Sequence, residues 1–317
     1  MPQDHSSGMP GYDVRWTGGE EHWTTRLNGE IDLFLWHKPA AKDVPFQGTI
    51  LFVHGSSMAS QPTFDLSVPG RTDASAMDWF RAQGFDTWTM DNEGYGRSSK
   101  HRDINFGIAN GADDLVAGTE YILKRAKTPG LMIYGISSGA LKAAMFAERH
   151  PERVAKLALD AFVWTGEGSP TLAQRKLKMD QWTAANRRPI DHAFVQSIFN
   201  RDHPGTADAG VVDAFAKAIL TLDSSMPTGT YVDMCSKLPM VDPKEINVPT
   251  IVMRGEHDGI ASFDDLIEFF KLLPHQDKQF TVMAGISHAS FQQKNYANVY
   301  HILNAFFTNP KQVYGVE

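Results

Sequence analysis

The sequence predicts an α/β protein: a mostly parallel, eight-stranded sheet with helices on both faces, interrupted by an inserted helical cap. Three observations predict it. Apolar, β-rich runs alternate with stretches of helical period over residues 49–163 and again over 250–308, the pattern of strands joined by crossover helices. That alternation breaks between residues 164 and 241, where helix-like runs follow one another without a core strand. And Gly135-Ile136-Ser137-Ser138-Gly139 lies between a strand-like run, 131–134, and a helix-forming run, 140–149. A Gly-x-Ser-x-Gly pentapeptide in that setting reads as a nucleophile elbow, a tight strand-to-helix turn exposing a serine hydroxyl.

Taken in order, residues 1–19 read as a poorly ordered lead-in, and 20–163 with 242–317 as the core around a cap at 164–241. Runs 21–27 and 30–37 flank Asn28-Gly29, a strong hairpin signal. Residues 49–53 form a continuous apolar strand, suited to a sheet covered on both sides, and it runs into His54-Gly55-Ser56-Ser57-Met58. A long loop, 59–72, precedes a helix at 74–83 closed by Gly84. Strand 85–90 enters the glycine-rich turn 91–98, and a helix over 110–127 places Leu115, Val116, Thr119, Ile122 and Leu123 on one face. The helix after the elbow stops at His150-Pro151, and a strand follows at 154–162. Cap helices are expected at 171–186, 192–200, 209–222 and 231–238. Strand 250–254, helix 263–272, strand 279–283 and helix 297–308 complete the core.

Bulk properties narrow the function. The formal charge of -7 over 317 residues argues against nucleic acid or an anionic membrane as partner. Cys235 is the single cysteine, which excludes an intrachain disulfide and a cysteine metal cluster; it reads as a small core residue. The polar start, 1–12, lacks a signal-peptide pattern, and no apolar run is long enough to span a bilayer. A soluble, cytoplasmic protein without membrane insertion is expected, as a monomer or homodimer.

A serine hydroxyl needs a base within hydrogen-bond reach, and the base needs a group that holds its tautomer. In an open α/β sheet such groups stand beyond the carboxyl ends of the strands. His288 follows the last strand in Gly285-Ile286-Ser287-His288-Ala289. Asp258, in Arg254-Gly255-Glu256-His257-Asp258, follows the strand before it, giving the chain order Ser, Asp, His. Asp160, at the end of the strand after the elbow, is the rival acid, with Glu256 a third candidate. The backbone N–H groups of Ser138 and Ser56 are the oxyanion donors expected after the nucleophile and after His54-Gly55.

These residues together resemble the α/β-hydrolase superfamily in its cap-bearing serine hydrolase branch. The resemblance rests on His54-Gly55, Asp91-x-x-Gly94-x-Gly96-x-Ser98, Gly135-x-Ser137-x-Gly139, Gly255-x-x-Asp258 and His288, in that order over about residues 21–308. It implies the triad Ser137–His288–Asp258 and no metal or organic cofactor. It also implies a small-molecule carboxylic ester as substrate, cleaved through an acyl-enzyme. Haloalkane dehalogenases and epoxide hydrolases share the layout but carry aspartate at the nucleophile position, so Ser137 argues against both. Perhydrolases and carbon–carbon bond hydrolases acting on vinylogous diketones keep the serine. The latter usually show a glycine-richer segment than Ser56-Ser57-Met58. A non-catalytic ligand-binding protein on the same fold is the remaining class. Trp164, Met179, Trp182, Phe194, Phe199, Met226 and Met234 are candidate pocket walls of the cap and favour a largely apolar substrate. Ser57, Phe64 and Arg71 are candidates from the 59–72 loop and its approach, Arg71 as partner for the carboxylate of a half-ester.

Overall fold

A computed structural model of the chain describes residues 8–126, 128–311 and 313. The first seven residues of the expected lead-in, and Lys127 at the end of the expected helix 110–127, lie outside them.

The chain opens with an antiparallel pair, β1 (Glu20–Arg26) and β2 (Ile31–Lys38), turned by a 3-10 turn at Leu27–Gly29 in which Asn28 is left-handed, φ 56°. Asparagine tolerates that conformation better than most residues. Next come β3 (Gly48–Val53), α1 (Ser60–Phe64), α2 (Ala76–Ala82), β4 (Phe85–Met90), α3 (Ile108–Leu123), β5 (Leu131–Ile136), α4 (Ser138–Arg149) and β6 (Val154–Asp160). The inserted segment holds α5 (Pro170–Lys176), α6 (Met179–Thr183), β7 (Arg187–Pro189), α7 (His192–Asn200), α8 (Ala209–Leu222), β8 (Ser225–Pro227) and α9 (Gly229–Ser236). Strands β9 (Thr250–Gly255) and β10 (Lys278–Met283), with α10 (Phe263–Leu272) and α11 (Tyr296–Thr308), finish the chain.

The main sheet has eight strands in the order β1-β2-β4-β3-β5-β6-β9-β10, all running one way except β2, which is antiparallel to both of its neighbours. Strand alternation explains the two cores. On β3, Leu51 and Val53 face α3, α4 and α10, whereas Ile50 and Phe52 face α2 and α11. On β5, Leu131 and Ile133 point one way, Tyr134 and Ile136 the other. Both faces are covered, so β3 and β5 present apolar side chains on both sides of the sheet. The carboxyl ends of β3, β4, β5, β6, β9 and β10 all face one edge, where the loops after them converge.

Three details depart from the sequence expectations. The loop 59–72 contains α1, whose five residues are buried. The single helix expected over 171–186 is two short ones, broken at Lys178, φ -115° and ψ 21°. Lys178 has left the helical region, and α5 has already ended at Lys176, with Leu177 as its C-cap. The inserted segment also carries its own two-stranded ribbon, β7 with β8, paired Arg187↔Pro227 to Pro189↔Ser225. Three-residue strands containing proline carry no readable alternation. A third apolar cluster joins this segment to the core loops: Phe199, Phe215 and Ile219 pack with Met58, Tyr95 and Phe106.

Candidate active site

Ser137 caps α4 with φ 58° and ψ -126°, a left-handed conformation costly for any residue but glycine. The turn holds because its backbone is tied on both sides: Ser137 N donates to Asp160 O at 2.9 Å, and Ala140 N donates to Ser137 O at 3.0 Å. The flanking glycines leave room for it. A Cβ on Gly135 would stand 2.4 Å from Gly139 O, and one on Gly139 would stand 2.3 Å from Val53 O. Gly135→Ala is therefore expected to destabilise the protein by about 1–3 kcal/mol, the usual range for overpacking. A drop of several degrees in melting temperature checks it; an unchanged Tm would show that the turn relaxes without cost.

The side chain of Ser137 meets two others. His288 Nε2 is 3.0 Å from Ser137 Oγ, and His288 Nδ1 is 2.9 Å from Asp258 Oδ1. Asp258 Oδ1 also accepts from Ile260 N at 3.0 Å. A carboxylate facing Nδ1 keeps the proton of a neutral imidazole there, leaving Nε2 to accept from the serine. Ser137, Asp258 and His288 are 5%, 3% and 4% exposed, so water competes little for these bonds. The loops that carry Asp258 and His288 interlock: His257 N donates to Ile286 O and Glu256 N to Met283 O.

Asp160 does not reach the histidine through a hydrogen bond. Its Oδ2 accepts from Tyr134 Oη at 2.5 Å. Burial pushes its carboxyl up to about 6, from 3.8. The native state then keeps a proton that the unfolded chain releases at lower pH. Stability from this group is present below about pH 3.8 and is lost as pH rises through about 6. Asp160→Asn is expected to flatten the fall in unfolding free energy across that window, measured by urea titration at several pH values. Glu256 Oε2 is occupied by Gly285 N at 2.8 Å, and the residue is exposed.

The segment after β3 is held from behind by buried polar groups. Ser56 O accepts from Tyr95 Oη and from Arg188 Nη2, both at 3.2 Å. His54, wholly buried, receives Asn92 N on Nε2 at 3.0 Å and faces Gly55 O through Nδ1 at 2.8 Å. Burial, then Lys142, holds its pKa well below the ordinary value, so it serves as a neutral strut. Lys142 is itself fully buried and donates to Asn92 Oδ1 at 2.8 Å; burial brings its amine down to about 7. The turn 91–98 is bound similarly: Asp91 accepts from Ser60 N and Arg97 N, at 2.7 and 2.9 Å.

The remaining candidates are divided. Ser57 lies under the inserted segment, its Oγ accepting from Arg188 Nη2 at 2.7 Å and 3.1 Å from Tyr231 Oη. Trp182 lines a cavity of about 670 Å³ that also reaches Phe194, Asp258 and Gly259. Phe64, expected in a pocket, is instead fully buried among Phe52, Tyr134 and Phe291, where α1 turns it into the core. Arg71 stacks 4.1 Å over the Tyr296 ring and lies 3.7 Å from Asp73, turned toward α11. Trp164 is drawn to the core by Val241 O, which accepts from its Nε1 at 3.2 Å, and by Phe269. Met226, Met234 and Phe199 are buried in the packing of the inserted segment, and Met179 packs against the core. The cavity is also more polar than an apolar substrate requires, with Arg175, Lys178, Arg201 and Asp202 in its wall. Asp202, 2.7 Å from Arg201, brings a second carboxylate within 4.8 Å of the Asp258 and His288 ligand atoms. No local signal in the sequence points to these residues. Among the described residues one other group converges as metal ligands do: Glu20, His22 and His37 on the outer strand pair.

A mostly parallel eight-stranded sheet with a serine on the β5–α4 turn defines a hydrolase of the α/β-hydrolase type. The chain belongs to the family described as serine aminopeptidase, S33, which matches residues 46–295. No curated protein sequence matches it. Among solved structures, it is similar to a soluble variant of the monoglyceride lipase of Saccharomyces cerevisiae, with 16% identity and TM-score 0.68 over 94% of this chain and 97% of that one. A thermophilic esterase of Thermogutta terrifontis has 18% identity and TM-score 0.64, covering 92% and 98%. E-2-(acetamidomethylene)succinate hydrolase likewise has 18% identity and TM-score 0.64, covering 90% and 98%. At such identities these likenesses establish the fold alone. No helix among the described residues is long and apolar enough to cross a membrane.

Proposed function

We propose that the protein is a serine hydrolase that cleaves a carboxylic ester through an acyl-enzyme, with residues 164–241 as a cap over the site. The observation that carries this reading is the buried, continuous hydrogen-bond chain from Ser137 Oγ through His288 to Asp258. Ser137 Oγ attacks the ester carbonyl carbon while its proton passes to His288 Nε2. Asp258 holds the ring and stabilises the imidazolium. The oxyanion is met by the N–H groups of Ser56 and Ser138, the latter at the N-terminus of α4, where the helix dipole also favours negative charge. Collapse expels the alkoxide, which takes the proton from His288. Water, deprotonated by His288, then releases the acid. The chemistry calls on no cofactor.

The test is labelling and turnover together. A fluorophosphonate is expected to modify Ser137, read by peptide mass, and short p-nitrophenyl esters are expected to be hydrolysed. Labelling elsewhere, or no turnover of any ester, would remove the reading. A carbon–carbon bond hydrolase would instead bleach a coloured dienol substrate while turning esters over poorly. A binding protein would hold ligand without turnover.

A further inference from the structure

The cavity beside Asp258 has a cationic wall whose charges are not matched. It is lined by Arg175, Lys178, Trp182, Arg201, Tyr231 and Asp258. Behind it, Arg188 is 7% exposed. Arg175 and Arg188 each stack on the Tyr231 ring, with Cζ 4.0 Å from the centroid. The Tyr231 ring thus lies against two cations at once. Arg201 is answered by Asp202, at 2.7 Å through both Nε and Nη2. Arg175 and Arg188 form no ion pair among the described residues.

Their hydrogen bonds are also incomplete. Arg188 gives Nη1 to Pro227 O at 2.5 Å, and Nη2 to Ser56 O and Ser57 Oγ. Its Nε, buried, has no partner, and neither does the buried Nη1 of Arg175. A desolvated guanidinium without counter-charge is unfavourable, and stacking on an aromatic ring offsets only part of that. The field of these cations acts on what is nearest. Burial opposes ionisation of the Tyr231 phenol, yet Arg175 and Arg188, together with the Ser57 hydrogen bond and Arg201, outweigh it and bring the phenol down to about 7. The site therefore draws negative charge toward itself.

We propose that the cap cavity binds a carboxylate of the substrate through Arg175, backed by Arg188 and Arg201. The scissile ester is then a half-ester of a dicarboxylic acid, or another ester bearing a free carboxylate. The inference rests on Ser137 being the nucleophile for its catalytic part, but not for binding. Placement supports it from two sides. Asp258, in the cavity wall, is two hydrogen bonds from Ser137. Arg188 grips the Ser56-Ser57 segment that carries the proposed oxyanion donor. A carboxylate matches the planar fork of a guanidinium. Asp202, Glu256 and Asp258 share the wall, so a monoanion suits it better than a doubly charged phosphate. The arginine that the sequence singles out for this task, Arg71, stands elsewhere; the cationic group comes from the cap.

The test compares kcat/KM for p-nitrophenyl hydrogen glutarate and for p-nitrophenyl pentanoate. The wild type is expected to prefer the anionic ester. In Arg175→Gln the ratio of the two is expected to fall by about 10- to 100-fold, the value of a charge-assisted hydrogen bond, with Arg175→Lys between. Arg175 is half-buried on α5, and a melting curve checks that the variant is folded. Independently of turnover, monomethyl glutarate is titrated into Ser137→Ala and into Ser137→Ala with Arg175→Gln, and binding is expected only in the first. Three results would overturn the proposal: a wild type that favours the neutral ester, a ratio unmoved by Arg175→Gln, or binding of inorganic phosphate but not of monomethyl glutarate. If Ser137 takes no fluorophosphonate and neither ester is cleaved, the hydrolase reading fails, and the titration still decides the carboxylate site.

Discussion

Ser137→Ala is expected to lower kcat on p-nitrophenyl butyrate by about 10⁶-fold, the scale on which a serine triad loses rate without its nucleophile. The reason is geometric as well as chemical. Oγ is the only Ser137 atom that meets His288 Nε2, at 3.0 Å, and alanine has nothing to put there. A residual acceleration of about 10³-fold over water is expected from the oxyanion donors and from binding. The fold should survive, because the backbone ties of the elbow, Ser137 N to Asp160 O and Ala140 N to Ser137 O, do not involve the side chain. Alanine also inherits the φ of 58°, so the turn is no more strained than with serine. Steady-state rates on variant free of wild-type enzyme, with a melting curve alongside, check this. Undiminished turnover would remove Ser137 from the chemistry.

The second large effect is expected at Asp258. Asp258→Asn keeps the shape but presents an amide to His288 Nδ1. If the amide donates there, the imidazole proton is forced to Nε2, where it faces Ser137 Oγ and can no longer accept. A loss of about 10⁴-fold in kcat follows from the wrong tautomer. Asp160→Asn is the control: its carboxylate is bonded to Tyr134 Oη and not to His288, so only a small change in rate is expected. Both carboxyls are buried at neighbouring strand ends, which makes the pair a fair comparison. A severe loss at Asp160 with a mild one at Asp258 would reassign the acid.

Much of the fold was legible because its signals are local. Residues 50–53 and 131–134 are apolar without interruption since α-helices cover both faces of their strands. Asn28-Gly29 turns the first hairpin because its residues accept positive φ, 56° and 92°. The glycines at 135 and 139 mark a place where a Cβ has no room. The break of α5 and α6 at Lys178 was not legible, because residues 171–186 keep a helix-forming composition through it. Phe64 and Arg71 were misread for a related reason. Residue type and a position near the proposed oxyanion segment do not say which way a side chain turns, and α1 turned Phe64 inward.

Ser137, Asp258 and His288 could be nominated from the sequence because each closes its own strand, and a parallel sheet brings all carboxyl ends to one edge. Periodicity and order along the chain thus determine the scaffold and nominate its reactive groups. The cationic cavity is different. Arg188 meets Ser57 across 131 positions, and Arg175 and Tyr231 come from separate helices. Which of the chain's Lys and Arg residues go unpaired depends on the folding of the inserted segment over the core. Burial and counter-charge are properties of packing, acting between residues that no spacing rule connects. The tertiary structure alone therefore decided which charges line the cavity beside Asp258, the ground on which the carboxylate site is proposed.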